Sequence, residues 1–358
     1  MKSLSDLRVK IDELDEKIQE LLATRADIAL KVAAAKKAAG DAAVFYTPER
    51  EKEILEQVIK RNHSALKNAD LIKIFQQIMT SCLAIQQPLQ IAFLGPLGTF
   101  SHEAAAKCFG ESVTLVPQSS IKDVVLSVEQ GVANYGLVPI ENSTEGVVGT
   151  TLDCLRTTSL TICNEIVIPI HHYLVTRCQH LTDITQVYSH PQPLAQCQQW
   201  LEKNLPNAAL LPAKSSAQAA MLAAREANTA AIAGELILEQ HNLNVLAKYI
   251  EDIPNNATRF YVLGKQAAQP TGKDRTSLLV QTTHQPGALA GLLNLFAVHD
   301  INLTLIESRP DKQQEWRYIF FLEMEGHQQD KKLALALQEL IKNQAGVKIL
   351  GSFPRGIL

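Results

Sequence analysis

LSDLRVKIDELDEKIQELLATRADIALKVAAAK, residues 4 to 36, contains no glycine or proline, and its apolar side chains fall at Leu4, Leu7, Ile11, Leu14, Ile18, Leu21, Ile28 and Val32. Steps alternating between three and four keep one stripe on a helix surface, here for four heptads. The stretch therefore reads as one long helix with a seam for a partner. The step missing between Leu21 and Ile28 falls on Arg25, a charge where an apolar knob belongs.

Working outward, Gly40 is the only glycine before Gly95, and the same span holds only Pro48 and Pro88, so residues 1–87 read as all-helical. A pause from Gly40 to Tyr46 leads to Thr47-Pro48-Glu49, which has the order of an N-cap, a first-turn proline and a first-turn acid. A second helix is predicted there. A third begins near Asp70, carries Leu71, Phe75, Ile78, Cys82 and Ile85 on one side, and ends before Pro88. From Gln90 the pattern changes to short apolar runs (IAFLG, YGLVPI, HYLVT, QVYSH, AAIAG, FYVLG) alternating with helical stretches, an α/β signature of two lobes over residues 90–265. QAAQPTGKDR, residues 266–275, reads as a linker. Residues 276–353 then follow the order βαββαβ: strands at Ser277–Thr282, Asn302–Glu307, Arg317–Glu323 and near Lys348, with helices from Pro286-Gly287 and over Lys332–Asn343.

The 358 residues suit two or three domains, and 46% apolar against 20% charged residues is enough to fold them. A net charge of −3 gives no positive field for nucleic acid. The six cysteines show no metal-ligand spacing, and His171-His172 has no partner at a zinc-binding interval, so no metal is expected. The N-terminus alternates charged with apolar residues and no run of 18 apolar residues follows, so neither export nor a membrane span is expected, and a cytoplasmic location is.

Burying an unpaired guanidinium costs several kcal/mol, so Arg25 needs either a structural carboxylate or an anionic ligand, and spacing leaves both open. Lys36, eleven residues on, lies near the same face. Cys82 and Gln86 form an i, i+4 pair on the third helix, while Arg8 is rotated by roughly 100° from Arg25. With Leu7-Arg8, LDEKI at 14–18, Arg25, Lys36, PERE at 48–51 and Gln86, residues 4–87 resemble the all-helical chorismate mutases. That resemblance implies an intertwined dimer in which Arg8 enters the partner's site while Arg25, Lys36 and Arg50 serve their own. It further implies that Arg8 and Arg25 hold the carboxylates of chorismate, Lys36 and Gln86 contact its ether oxygen, and Glu51 takes the ring hydroxyl. Claisen rearrangement to prephenate needs no nucleophile, since positioning and preorganised charge suffice. Thr47 and Cys82, at positions that would touch substrate, depart from the commoner aspartate and serine; Thr47 alternatively serves only as a helix cap.

Four loop-like signatures occupy the α/β stretch: GPLGTFSHEAA (95–105), PIENSTEG (139–146), SHPQPLAQC (189–197) and EDIPNNATRF (251–260). Each alone marks a turn, but their order and wording resemble prephenate dehydratase, whose two lobes are similar to those of periplasmic solute-binding proteins. The resemblance implies loss of the prephenate ring hydroxyl and ring carboxylate to give phenylpyruvate. It makes Thr258 the donor beside the leaving hydroxyl, with Glu141, Asn142, Ser189 and Gln196 lining the cleft and Phe260 packing within the same substrate-binding set. Arg259 either holds a carboxylate or pairs structurally, and His190 reads as structural.

In the tail, Gly287-Ala288-Leu289-Ala290 and Glu307-Ser308-Arg309-Pro310 resemble the effector motifs of ACT domains in these dehydratases. The implied effector is L-phenylalanine bound between paired domains, with Ala290 in place of the commoner valine. Gly287 alternatively marks only a helix start, and Arg309 a turn salt bridge. The expectation is a bifunctional enzyme without cofactor, a homodimer or higher homo-oligomer. The alternatives are a non-enzymatic aromatic-acid sensor and a dehydratase with a decayed mutase domain.

Overall fold

The computed structural model describes residues 3–38, 45–110, 112–237, 243–282, 285–311, 318–343 and 346–356. The chain divides into two compact units, residues 1–89 with 109–114, and residues 90–108 with 115–358.

The first unit is helical, with α1 (Leu4–Ala38), α2 (Pro48–Arg61) and α3 (Asn68–Gln86). At 1.5 Å per residue, α1 is about 50 Å long. Its apolar seam is open to solvent in the single chain, from Leu4 (67% exposed) to Leu21 (70%), and Ala33 is its buried residue. Met79, Cys82 and Leu83 of α3 and Leu55 and Val58 of α2 form the small core. The predicted pause at Gly40 lies outside the described residues up to position 44. Thr47 does occupy the N-cap position of α2, but its side chain makes no capping hydrogen bond. Its carbonyl accepts from the backbone N–H of Arg50 and Glu51 at 3.0 and 3.2 Å instead, with Pro48 supplying the helical φ of the first turn.

The second unit opens with β1 (Gln90–Leu94), α4 (Phe100–Phe109), β2 (Thr114–Gln118), α5 (Ile121–Glu129), β3 (Tyr135–Asn142), β4 (Gly146–Val147), α6 (Gly149–Thr157) and β5 (Thr161–Pro169). The chain then crosses to a second lobe of β6 (Tyr173–Thr176), β7 (Gln186–Ser189), α7 (Pro191–Gln196), α8 (Gln198–Asn204), β8 (Ala209–Pro212), α9 (Ser216–Arg225), β9 (Thr229–Ala233) and β10 (Asn244–Lys248). It returns to the first lobe as β11 (Ala257–Gly264), giving strand orders β2-β1-β3-β11-β5 and β10-β6-β9-β7-β8. Double crossing is what places loops of both lobes around one cleft.

The predicted βαββαβ order is realised as β12 (Asp274–Gln281), α10 (Ala288–Val298), β13 (Leu303–Pro310), β14 (Tyr318–Glu325), α11 (Lys331–Asn343) and β15 (Val347–Pro354), in sheet order β13-β14-β12-β15. Arg317, the predicted start of one strand, lies outside the described residues. The predicted linker is shorter than expected, because Asp274 and Arg275 already belong to β12. Asp274 accepts from Thr271 N (2.7 Å), Thr271 Oγ1 (2.6 Å) and Gly272 N (2.9 Å), so the polar run before the strand is a tight turn. This third sheet is continuous with the first lobe: Val138, Ile140 and Tyr261 share one core with Leu279, Phe321, Leu350 and Phe353. At Gly351 a Cβ would lie 2.2 Å from the Ile162 carbonyl oxygen, so only glycine allows β15 this close to β5. No helix among the described residues is long and apolar enough to cross a membrane.

Candidate functional site

In the helical unit, Arg25 is half-buried and donates through Nη1 to the Ile78 carbonyl of α3 at 3.4 Å. Lys36 lies in the last turn of α1 with Nζ 5.7 Å from the Phe45 ring centroid. Desolvation lowers its pKa, and Glu49 in the first turn of α2 opposes that shift. Burial first, and Glu49 second, push the Glu51 carboxyl up to about 8. With its pKa near 8, the Glu51 carboxyl is mostly protonated at pH 7. Gln86 Nε2 donates to the carbonyl of buried Cys82 at 3.1 Å. Arg8 and Arg50 stand apart: both are exposed, and Arg50 pairs with Glu53 at 2.7 Å. Arg8 lies seventeen residues before Arg25, about 25 Å along α1, so one chain cannot bring both to one small ligand.

In the two-lobed unit, β11 runs antiparallel between β3 and β5, which sets Thr258 opposite Asn142 and Arg259 opposite Glu141. Asn142 Nδ2 donates to Thr258 Oγ1 and to Asn256 Oδ1, both at 2.9 Å. Its Oδ1 accepts from Thr144 N (3.0 Å), Thr144 Oγ1 (2.6 Å) and Glu145 N (3.2 Å), which folds the 142–145 segment into an Asx turn. Gln196 reaches over from the second lobe, donating to Glu145 Oε1 at 3.2 Å, while its Oε1 meets His172 Nε2 at 2.9 Å and Asn256 Nδ2 at 3.3 Å. Burial lowers the His172 pKa, keeping the ring neutral, and Phe100 meets it edge-on at 5.6 Å. Residues of the second, third and fourth signatures thus join in one hydrogen-bonded cluster that includes Thr258, and Phe100 of the first packs against its His172 end.

Two further residues of the expected set are enclosed. Ser189 is fully buried and donates to the Ile232 carbonyl at 3.0 Å, and Phe260 is 1% exposed and packs in the interior. His190 caps α7 by accepting from Gln192 N. The sequence reading passes over Thr144, Glu145, His172 and Asn256 as members of the site. One available signal was Asn256 itself, whose amide needs several buried partners two residues before Thr258.

Arg259 is engaged by three carboxylates: Glu141 at 3.2 Å through Nη2, and Glu165 at 3.3 Å and Glu323 at 2.5 Å through Nη1. Glu165 and Glu323 have fully buried side chains, whereas that of Glu141 is 37% exposed. Arg275 Nη1 adds a bond to Glu165 at 3.1 Å and a weaker approach to Glu323 at 3.6 Å. Desolvation works against the Arg259 cation, but its anionic neighbours outweigh it and raise its pKa. Burial raises the Glu165 carboxyl, with Arg275 and Arg259 pulling it back. Two arginines and two glutamates thus balance inside the fold, which meets the requirement that buried charge be paired.

In the third sheet, Gly287 has φ 82° at the N-cap of α10 and Ala288 to Ala290 form its first turn. Glu307, Ser308, Arg309 and Pro310 end β13, so Arg309 is on a strand and not in a turn. Its Nη2 lies 3.6 Å from Asp153 Oδ1, and a Cβ at Gly149 would press on its guanidinium at 2.7 Å. α6 is held at its other end as well, where Lys348 Nζ donates to the carbonyls of Leu155, Arg156 and Thr158 at 2.9, 3.1 and 2.5 Å.

The fold defines a multidomain enzyme: a helical domain, a two-lobed α/β domain and a βαββαβ domain. Family models match in that order: chorismate mutase type II over residues 7–87, prephenate dehydratase over 91–268 and the ACT domain over 276–342. A bifunctional chorismate mutase/prephenate dehydratase of Stutzerimonas stutzeri is 44% identical over 359 residues, covering 99% of this chain and 98% of that protein. One of Aquifex aeolicus with the same description is 40% identical, covering 100% and 99%. The crystal structure of an Arthrobacter aurescens prephenate dehydratase in complex with L-Phe aligns with TM-score 0.70 and 38% identity, over 75% of this chain and 90% of that one. The chain belongs to the family of bifunctional chorismate mutase/prephenate dehydratases. It rearranges chorismate to prephenate and converts prephenate to phenylpyruvate.

Proposed function

We propose that the polar cluster around Thr258 is the dehydratase site and that the cations of α1, with Glu51 and Gln86, form the mutase site. The observation that carries the first assignment is the 2.9 Å bond from Asn142 Nδ2 to Thr258 Oγ1. A hydroxyl has one proton, and because Asn142 occupies an acceptor lone pair, that proton stays free to point at a leaving group. Prephenate then loses its ring hydroxyl as water, with Thr258 donating as the C–O bond breaks. The electrons of the ring–carboxylate bond enter the ring as carbon dioxide leaves, and one proton is taken up overall. Arg259, held by three carboxylates, acts as a positioning residue for Glu141 and for the Thr258 strand.

In the mutase site, Arg25 and Lys36 hold the chorismate dianion and offset charge growing on its ether oxygen, and Gln86 and neutral Glu51 supply uncharged donors. The open seam of α1 is covered by a second copy of the chain, whose Arg8 completes the site. L-phenylalanine, the ligand of the Arthrobacter aurescens relative, inhibits the dehydratase by binding at Gly287–Ala290 and Glu307–Pro310. The domains are residues 1–87, 90–265 and 276–353, and the enzyme works in the cytoplasm.

The test is incubation of the purified protein with chorismate and, separately, with prephenate, quantifying prephenate and phenylpyruvate by chromatography. Arg25→Ala should remove mutase turnover and leave dehydratase turnover, and Thr258→Ala should do the reverse. Loss of both activities from either substitution in a folded protein would refute the assignment of separate sites.

A further inference from the structure

The geometry points to Glu323, in the centre of the ACT sheet, as the residue through which effector binding acts on the dehydratase site, by holding Arg259. This inference rests on the proposal that Thr258 and Arg259 belong to the dehydratase site and that phenylalanine inhibits it.

Glu323 lies on β14, and β14 pairs with β13, whose end carries the effector motif: Glu307 is opposite Phe321 and Ser308 opposite Phe320. On the same strand as that motif, Thr304 donates its hydroxyl to Glu323 Oε1 at 2.9 Å. That oxygen is also the acceptor for Arg259 Nη1 at 2.5 Å, and Tyr261 OH donates to the other oxygen at 2.5 Å. The far nitrogen of Arg259 reaches the partly exposed carboxylate of Glu141, and Glu141 and Arg259 are the chain neighbours of Asn142 and Thr258 on the paired strands β3 and β11. Side-chain contacts therefore lead from the effector strand through Thr304, Glu323 and Arg259 to Glu141, and the backbone of β11 and β3 carries the connection one residue further, to Thr258 and Asn142.

The carboxylate is placed to respond. Its side chain is fully buried, so a small displacement of β13 cannot be absorbed by water and must be taken up by Arg259 or Thr304. Arg259 Nη1 already bonds two carboxylates unequally, Glu323 at 2.5 Å and Glu165 at 3.3 Å. Two arrangements of one guanidinium, pulled toward Glu323 or toward Glu165, are the discrete element that a coupling mechanism needs. A ligand that prefers one of them shifts the balance by its difference in affinity for the two.

The test uses the full-length enzyme and two variants. Thr304→Val removes the hydroxyl, keeps the shape and favours a strand; Glu323→Gln removes the charge. Dehydratase kinetics are measured across a phenylalanine titration, and phenylalanine binding is measured directly by calorimetry. Both variants should bind phenylalanine with a Kd within about threefold of the parent, because the effector residues are untouched. The fraction of activity that saturating phenylalanine removes should fall by at least half. A merely structural role would weaken binding together with inhibition, and so would not produce this split. Full inhibition in Thr304→Val and Glu323→Gln would overturn the inference, and so would loss of binding in parallel with inhibition. Should Glu323→Gln fail to fold, the outcome for Thr304→Val decides. Failure of the underlying reading looks different: Thr258→Ala would keep its dehydratase turnover, or phenylalanine would not inhibit the parent.

Discussion

Glu49 and Glu51 stand two residues apart at the start of α2, and burial together with that neighbour raises the Glu51 carboxyl to about 8. The folded state binds this proton more tightly than the unfolded chain, so stability falls as pH rises from about 4.5 to about 8 and levels off above. Activity follows the same charge. Under the proposed assignment, below the transition the mutase site presents a neutral acid to a dianion, and above it a second carboxylate joins Glu49. The KM for chorismate should therefore rise as pH passes through about 8, and Glu51→Gln should remove that rise; a parallel rise in the variant would exclude Glu51 as its source. The position of Glu51 on a first turn is legible in PERE, but its protonation is not, because it depends on enclosure by residues distant in sequence. Arg259 shows the limit more sharply. Its adjacency to Thr258 is visible in the sequence, whereas Glu165 and Glu323 lie 94 and 64 residues away and ion pairs leave no periodic trace.

At the scale of elements, periodicity does well where one apolar stripe or alternation is sustained for a long distance. The 3,4 pattern of α1, the proline at the start of α2 and the βαββαβ order are all read directly from residue spacing. It does less well at boundaries: Arg275 reads as linker because polar residues and breakers surround it, and only the turn closed by Asp274 reveals that the strand has begun. Helix α6 illustrates a feature invisible to any local pattern. Its last carbonyls are capped by Lys348, and Arg156 on its final turn pairs with Asp311 at 2.5 Å. Charged hydrogen bonds of this kind contribute about 1.5–3 kcal/mol. Lys348→Met should lower the dehydratase unfolding midpoint by several degrees in a thermal melt while leaving the mutase transition in place. An unchanged midpoint would show that water replaces the lysine without cost.

At the scale of the whole molecule, the chain divides into two compact units, and the proposed mutase assignment draws on Arg8 of a second chain. Arg8 and Arg25 lie about 25 Å apart on a rigid helix, so shared use of one substrate requires two chains. Subunit mixing tests this directly. Arg8→Ala and Arg25→Ala should each lack mutase activity, yet unfolding and refolding them together should restore about one quarter of the parent rate. Half of the dimers are then mixed, with one intact site of two. No recovery on mixing would mean that each chain builds its own site. Dehydratase turnover should remain unaffected throughout, and serves as the measure of active protein.

The grip of Lys348 on α6 also sets an order in time. The lysine follows Arg156 by 192 residues, so a chain emerging N-terminus first at about 5–20 residues per second exposes the open end of that helix for about 10–40 s before its cap is made. During synthesis the first lobe therefore waits, with β5 paired to β11 but not yet packed by β15, and the βαββαβ sheet acts as the last piece of the dehydratase's own assembly.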